Sequence, residues 1–212
     1  MSARQRILVL TSCTSRKASG GTGDPVVAEA LYTGQQHVRL MRGIHAYRGG
    51  GAFASNLPEL DLFIVSAGFG VVSGADALPP YDRTFSSMSR VDARAWAKRL
   101  GVPSAVARLL SRPYALALLL LGERYLDAAS FLAGIEFGGP TFALCGKGGS
   151  ARLPRHPQLA PVVLDEAVAR SFRCGYVGLK GEVAGRLLRA IASGGSLPRS
   201  AAEILDHRAG VG

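Results

Sequence analysis

The chain predicts an α/β fold with a mostly parallel central sheet flanked by helices, and three observations lead there. Four short apolar runs, Ile7–Leu10, Leu62–Val65, Leu116–Leu121 and Thr141–Leu144, are continuous rather than alternating. Strands covered by helices on both faces read this way. Segments with helical spacing lie between them, and strand–helix alternation over a long stretch favours parallel pairing. Each run also ends in a polar or glycine-bearing stretch: TSCTSRK, SAGFGVVSG, GERY and CGKGG.

The elements follow in order. After the first strand, Pro25–Tyr47 has helical spacing through Val26, Val27, Ala30, Leu31, Val38 and Met41, with an interruption expected near Gly34. Asp92–Leu100 and Ser104–Leu110 form a helix pair separated by Gly-Val-Pro, and Glu123–Ala133 continues directly from the third strand. Asp165–Phe172, Leu179–Ser193 and Ser200–His207 read as helices, the last opened by a Ser200/Glu203 capping-box spacing. The glycine-rich stretches Ala18–Gly23 and Gly49–Gly51 read as loops. Residues 1–212 are taken as one α/β domain, with 195–212 a C-terminal helical tail.

Composition narrows the classes. At 48% hydrophobic and 19% charged, the chain has material for a packed core and is not a disordered protein. Its longest apolar run, Ala115–Leu121, is too short to cross a bilayer, so no membrane association is expected. No secretory signal pattern opens the sequence. Three widely spaced cysteines, Cys13, Cys145 and Cys174, suit reduced thiols and a cytoplasmic location. The 25 basic against 15 acidic residues give a formal charge of +10, an excess that favours phosphate-bearing partners. The basic residues are mostly scattered arginines, a bias that genome composition alone also produces, and no basic arm exists.

In an open parallel sheet, ligands bind outside the carboxyl ends of the strands, where loops and helix N-termini converge. Four polar strand exits therefore describe one shared crevice. Cys13 and Lys17 lie four apart beside Arg16, and cationic neighbours make a thiol nucleophilic, although most lone cysteines at strand ends are small buried residues. Ser66-Ala67-Gly68-Phe69-Gly70 suits a phosphate or base cradle, or a tight packing turn. It lacks the dinucleotide fingerprint, and CGKGGS lacks P-loop spacing, so a Walker-type hydrolase is rejected and no cofactor is expected. The stiff Leu78–Arg83 segment presents Tyr81, Asp82 and Arg83 in fixed directions, the tyrosine for stacking on a base and the aspartate for reading its edge; a rigid surface turn with the tyrosine packed on proline is the alternative. Glu123 suits acid/base chemistry, or only the helix N-terminus it opens. The four histidines lack metal-ligand spacing, so no metal site is expected.

As an ordered set, these stretches resemble the peroxide-stress protein YaaA family and its shorter relatives. ILVLTSCTSRK resembles that family's opening strand and lysine-bearing loop, with Ser12 and Lys17; LYTG resembles its YTG element, with Tyr32 and Gly34. SAGFG and the following proline–tyrosine segment resemble its SGxYG strand exit, matching Ser66, Gly68, Gly70 and Tyr81, with Phe69 where the family usually has tyrosine. GERY supplies Glu123 and Tyr125, and LKGEVAGRLLRAI resembles a late basic helix with Lys180 and Arg186. The Cys-x3-Lys spacing is also similar to a loop in the catalytic domain of archaeosine synthase. This resemblance implies a YaaA-like α/β fold and chemistry on a nucleobase, as superfamily members act on 7-deazaguanine bases in tRNA or DNA.

The leading expectation is an enzyme acting on a base, in nucleic acid or as a nucleotide. Lys17, or Cys13 activated by it, would be the nucleophile and Glu123 the acid/base, with Tyr81 a further catalytic residue against which the base is held. Lys17 is favoured because the resemblance carries it more directly. Two alternatives stand beside this: a non-catalytic DNA-binding protein of the oxidative-stress response, and a small-molecule nucleoside enzyme.

Overall fold

The computed structural model describes residues 5–18, 23–49, 56–130 and 135–207. Its elements are β1 (Arg6–Ser12), β2 (Val26–Val27), α1 (Ala28–Leu31), α2 (Gln35–Gly49), β3 (Glu59–Ser66), β4 (Gly70–Ser73) and β5 (Ala77–Leu78), then a 3-10 turn at Phe85–Ser87. They continue with α3 (Arg90–Arg99), α4 (Val102–Leu110), β6 (Leu116–Leu120), α5 (Glu123–Ala129), β7 (Thr141–Cys145), α6 (Lys147–Ser150) and β8 (Leu159–Val163). Last come α7 (Glu166–Ser171), a 3-10 turn at Tyr176–Gly178, α8 (Leu179–Ala192) and α9 (Ala201–Leu205). The expected α/β architecture is present: a six-stranded sheet in the order β4-β3-β1-β6-β7-β8, parallel except for β4.

Alternate residues of each central strand feed opposite layers. Ile7, Val9, Leu116, Leu118 and Leu120 pack under α2 and α8, against Leu40, Ile44, Val183 and Leu187. Leu8, Leu10, Ala117 and Leu119 pack under α3, α4 and α5, against Ala93, Ala97, Val106 and Leu126. With both faces covered, β6 and β7 are buried along their whole length, which is why their sequences do not alternate.

Two edge strands escape the sequence reading. Leu159-Ala160-Pro161-Val162-Val163 forms β8, where Pro161 is tolerated because an edge strand has one unpaired side. Val71 and Val72 belong to β4, which returns antiparallel on β3 through the Ala67–Phe69 turn. The helix interruption at Gly34 is real: α1 ends at Leu31 and α2 begins at Gln35. The α3 boundary is set by Ser89, whose hydroxyl accepts from Asp92 N at 3.1 Å, so that helix starts before Asp92. Ser200 caps α9 in the same way, accepting from Glu203 N at 3.2 Å. Most of the two glycine-rich stretches and the last turn expected through Ala133 lie outside the described residues.

Helices α2 and α8 run side by side at unusually close approach. A Cβ on Gly43 would stand 2.3 Å from Gly185 Cα, and one on Gly181 would stand 1.9 Å from Gln36 O. The contact brings the N-termini of both helices to the carboxyl end of the sheet. There β1 connects through α2 to its neighbour on one side, while β3 returns across the other face to β6 on the opposite side. Between β1 and β6 the strand order therefore reverses, and loops leaving these two strands part around a crevice.

Candidate functional site

The crevice between the ends of β1 and β6 holds a cavity of about 510 Å³, lined by the Ser12–Arg16 loop, Gly34–Gln36, Ser86, Gly122, Tyr125 and Val177. Its floor is stitched by Gln36, whose Nε2 donates to Thr11 Oγ1 at 3.1 Å and to Leu120 O at 3.0 Å, joining the two strands where they diverge. Thr14 fixes the loop above it, donating to Arg16 O at 2.6 Å and accepting from Gly34 N at 3.2 Å. A short antiparallel bridge pairs Lys17 with Tyr32, through Ala18 N to Leu31 O and Thr33 N to Arg16 O. TSCTSRK is thus tied to LYTG, a pairing of segments distant in sequence.

Cys13 faces the cavity from this loop. Its Sγ lies 3.0 Å from the Tyr125 hydroxyl, which in turn lies 3.0 Å from Thr84 Oγ1. Burial, and then the neighbouring thiol, push the Tyr125 phenol well above its ordinary pKa, so it keeps its proton at neutral pH. Either atom can donate in both contacts, so the Tyr125 oxygen can accept the thiol proton while its own proton is turned away from the sulfur. Arg16 is exposed at the rim, and the N-terminus of α2 opens on the same space.

Lys17 is placed differently from the expectation. It lines a neighbouring cavity with Pro80, Tyr81 and Asp82, and Ser15 is the residue common to both. Its Nζ sits 4.4 Å over the Tyr81 ring and 3.5 Å from Arg83 O. Cys13 has Tyr125, not Lys17, as its hydrogen-bond partner.

The Tyr81 ring is half-buried along the Lys17 cavity, and its hydroxyl is enclosed. Its hydroxyl accepts from Ser66 Oγ at 2.8 Å and lies 2.8 Å from the Tyr32 hydroxyl. Phe69 meets its ring edge-on at 5.1 Å, and a Cβ on Gly68 would stand 2.7 Å from it, so glycine is needed there. Burial raises both phenols, Tyr32 to about 12 and Tyr81 further. The SAGFG amides are also taken: Gly68 N and Phe69 N both donate to Ser66 Oγ at 3.2 Å. This stretch, with Gly70 at a positive φ of 79°, is the packing turn of a hairpin, because the hydroxyl of Ser66 occupies the donors a phosphate would need.

The remaining residues fall around these two networks. Asp82 lines the Lys17 cavity, and the Arg83 guanidinium stacks on Trp96 at 4.2 Å. Glu123 opens α5, pairs with Arg152 at 3.0 Å and lies over Gly148, on the β7 side. Lys180 reaches the end of β6, donating to Leu121 O at 2.7 Å, and burial lowers its pKa to about 8. Arg186 is tied into α8, bonding Glu182 at 2.7 Å and Phe172 O at 2.8 Å. It belongs to helix packing rather than to the crevice. Thr84, Thr14 and Gln36 carry no motif in the sequence; only the topology shows their part.

Residues 8–136 match a family of unknown function, DUF6884, over more than half of the chain. The chain belongs to that family. No curated protein and no solved structure matches it. The DUF6884 segment contains Cys13, Thr84 and Tyr125, together with the closed Tyr32–Ser66–Tyr81 network, whereas Lys180 and Arg186 follow it. Among the described residues no helix is long and apolar enough to cross a membrane.

Proposed function

We propose that this DUF6884 protein modifies a nucleobase, carried in nucleic acid or as a nucleotide, in the crevice between β1 and β6. The observation that carries the reading is the Cys13–Tyr125–Thr84 chain at the point where the strand order reverses. The cavity has the size of an ordinary small-ligand site. Arg16 and the α2 N-terminus would hold a phosphate, and the base would lie against the thiol. The resemblance to the YaaA superfamily supports the same substrate class.

In this mechanism Cys13, rather than Lys17, is the nucleophile, because the thiol lines the crevice and the amine lies over the Tyr81 ring. The S–H adds across a C=N bond of the base, or across a nitrile on it. The C–S bond forms and the C–N π bond breaks. The thiol proton passes to the Tyr125 oxygen as the phenol proton is delivered to nitrogen, so no oxidant or reductant is required.

A thermal-shift panel of free bases, the nucleoside monophosphates, tRNA and duplex DNA tests the reading. A base or nucleotide should raise the melting temperature of wild type and Cys13→Ala alike. Only wild type should then form an adduct, seen by intact-protein mass spectrometry. A panel in which nothing shifts the melting temperature sinks the proposal. Should only duplex DNA bind, with no effect of Cys13→Ala, the non-catalytic stress-protein alternative is favoured.

A further inference from the structure

Beside the crevice, four arginines converge on one buried carboxylate. Asp127 on α5 is 1% exposed, yet it meets Arg90 at 3.0 Å, Arg124 at 3.4 Å, Arg152 at 3.5 Å and Arg94 at 3.7 Å. Arg152 also pairs with Glu123 and donates to Gly148 O. Counting both acids, the cluster keeps an excess of two positive charges. Arg90 and Arg94 remain about half exposed, and among the described residues each has Asp127 as its ion-pair partner.

One arginine would neutralise a buried carboxylate. Four arranged around it make the carboxylate a fixed anchor that holds guanidinium groups in place facing outward, where their planar forks suit phosphate oxygens. The contrasting cluster on α8 is used up internally. Glu182 holds Arg39 and Arg186 at 2.8 and 2.7 Å, and Arg186 is further spent on Phe172 O and over the Phe172 ring. The Asp127 cluster is also well placed. Tyr125 of the crevice wall lies between Arg124 and Asp127 on α5, and Ser86 of that wall belongs to the 3-10 turn that leads into α3 and Arg90.

We infer that the Asp127-anchored arginines are a phosphodiester-binding surface, and that the crevice therefore receives its base from a single-stranded or looped polynucleotide whose flanking backbone crosses α3 and α5. The delivery of a base to the crevice rests on the crevice reading above, whereas phosphodiester binding by the arginines is tested separately. Phosphate contacts position a strand without reading its sequence, so the arginines set register while the crevice selects the base.

Fluorescence anisotropy with a labelled 12-nucleotide single-stranded RNA, and with the same sequence as DNA, tests it across a salt series. The Arg90→Gln/Arg94→Gln double variant should bind on the order of tenfold more weakly, with the slope of log affinity against log salt flatter by about 1.4. Arg90→Lys/Arg94→Lys should keep the slope, and Arg189→Gln on the opposite layer should bind as wild type does. Thermal shifts by nucleoside monophosphates should be the same in every variant, which also verifies folding. Unchanged oligonucleotide binding in the glutamine double variant overturns the inference, as does an equal loss in Arg189→Gln. So does tighter, equally arginine-dependent binding to phosphatidylglycerol vesicles. If mononucleotides shift nothing while oligonucleotide binding still depends on Arg90 and Arg94, the crevice reading fails and the surface stands. Comparing RNA with DNA decides which polymer it takes.

Discussion

The two tyrosine networks at the ends of β1 and β3 are built from similar groups and differ in closure. Around Tyr81, every hydroxyl finds its partner inside the protein: Ser66 donates to Tyr81 and accepts two amides, and Tyr32 completes the set. Around Tyr125, the chain ends at Cys13, whose sulfur lines a cavity. A fully satisfied buried network specifies packing, whereas one ending at a nucleophile beside open space is positioned for chemistry. The difference is one of topology, since Tyr81 sits over a hairpin turn and Tyr125 at the strand-order reversal.

The comparison breaks most sharply on Cys13. Cys13→Ala should leave ligand-induced stabilisation intact and abolish adduct formation altogether; a variant that still forms the adduct removes the functional distinction between the networks.

The next largest effect concerns charge, because the crevice side carries a cation that burial disfavours and the closed side carries neutral phenols. The amine of Lys180 has a pKa of about 8 in the fold against 10.5 as a free group. Below pH 8 its full penalty is present. Between the two values the unfolded chain holds the extra proton, so stability rises with pH across that window. Relative to Lys180→Met, wild type should gain on the order of 3 kcal/mol from pH 7.5 to 10.5. Urea unfolding of both proteins measures this, and parallel pH curves would remove Lys180 from the buried amines.

Tyr125→Phe should lower the rate of adduct formation by about 100-fold while changing the urea midpoint little, since the cavity lets water reach the sulfur. Tyr81→Phe should do the reverse, costing about 2 kcal/mol of stability by leaving the hydroxyls of Ser66 and Tyr32 short of a partner. Paired denaturation and single-turnover measurements on the two variants read the contrast directly. If both lose stability equally and neither loses rate, the networks are equivalent and the crevice chemistry fails.

The parallel core was legible because Leu116–Leu120 and Thr141–Cys145 are apolar without alternation. The edge strands were not. Pro161 argues against a strand until its edge position is known, and four residues of β4 are too few to show a period. Among site residues, Cys13 was legible as a candidate because it closes a strand beside cationic residues, and Tyr125 through the resemblance of GERY to the YaaA family's strand exit. Their contact was not, as they lie 112 residues apart and meet only through the β1–β6 pairing. Asp127 carries no motif in the sequence; four arginines from α3, α5 and the segment after α6 give it its meaning.

By itself, the sequence determined an α/β sheet with its chemistry at the strand exits, because burial on both faces and loop polarity are local properties of composition and spacing. Only the tertiary structure decided which exits share a wall. It put Cys13 with Tyr125, turned Lys17 onto the Tyr81 ring and filled the SAGFG amides with the Ser66 hydroxyl. Strand order and helix crossing set those distances, and neither is written into any single segment.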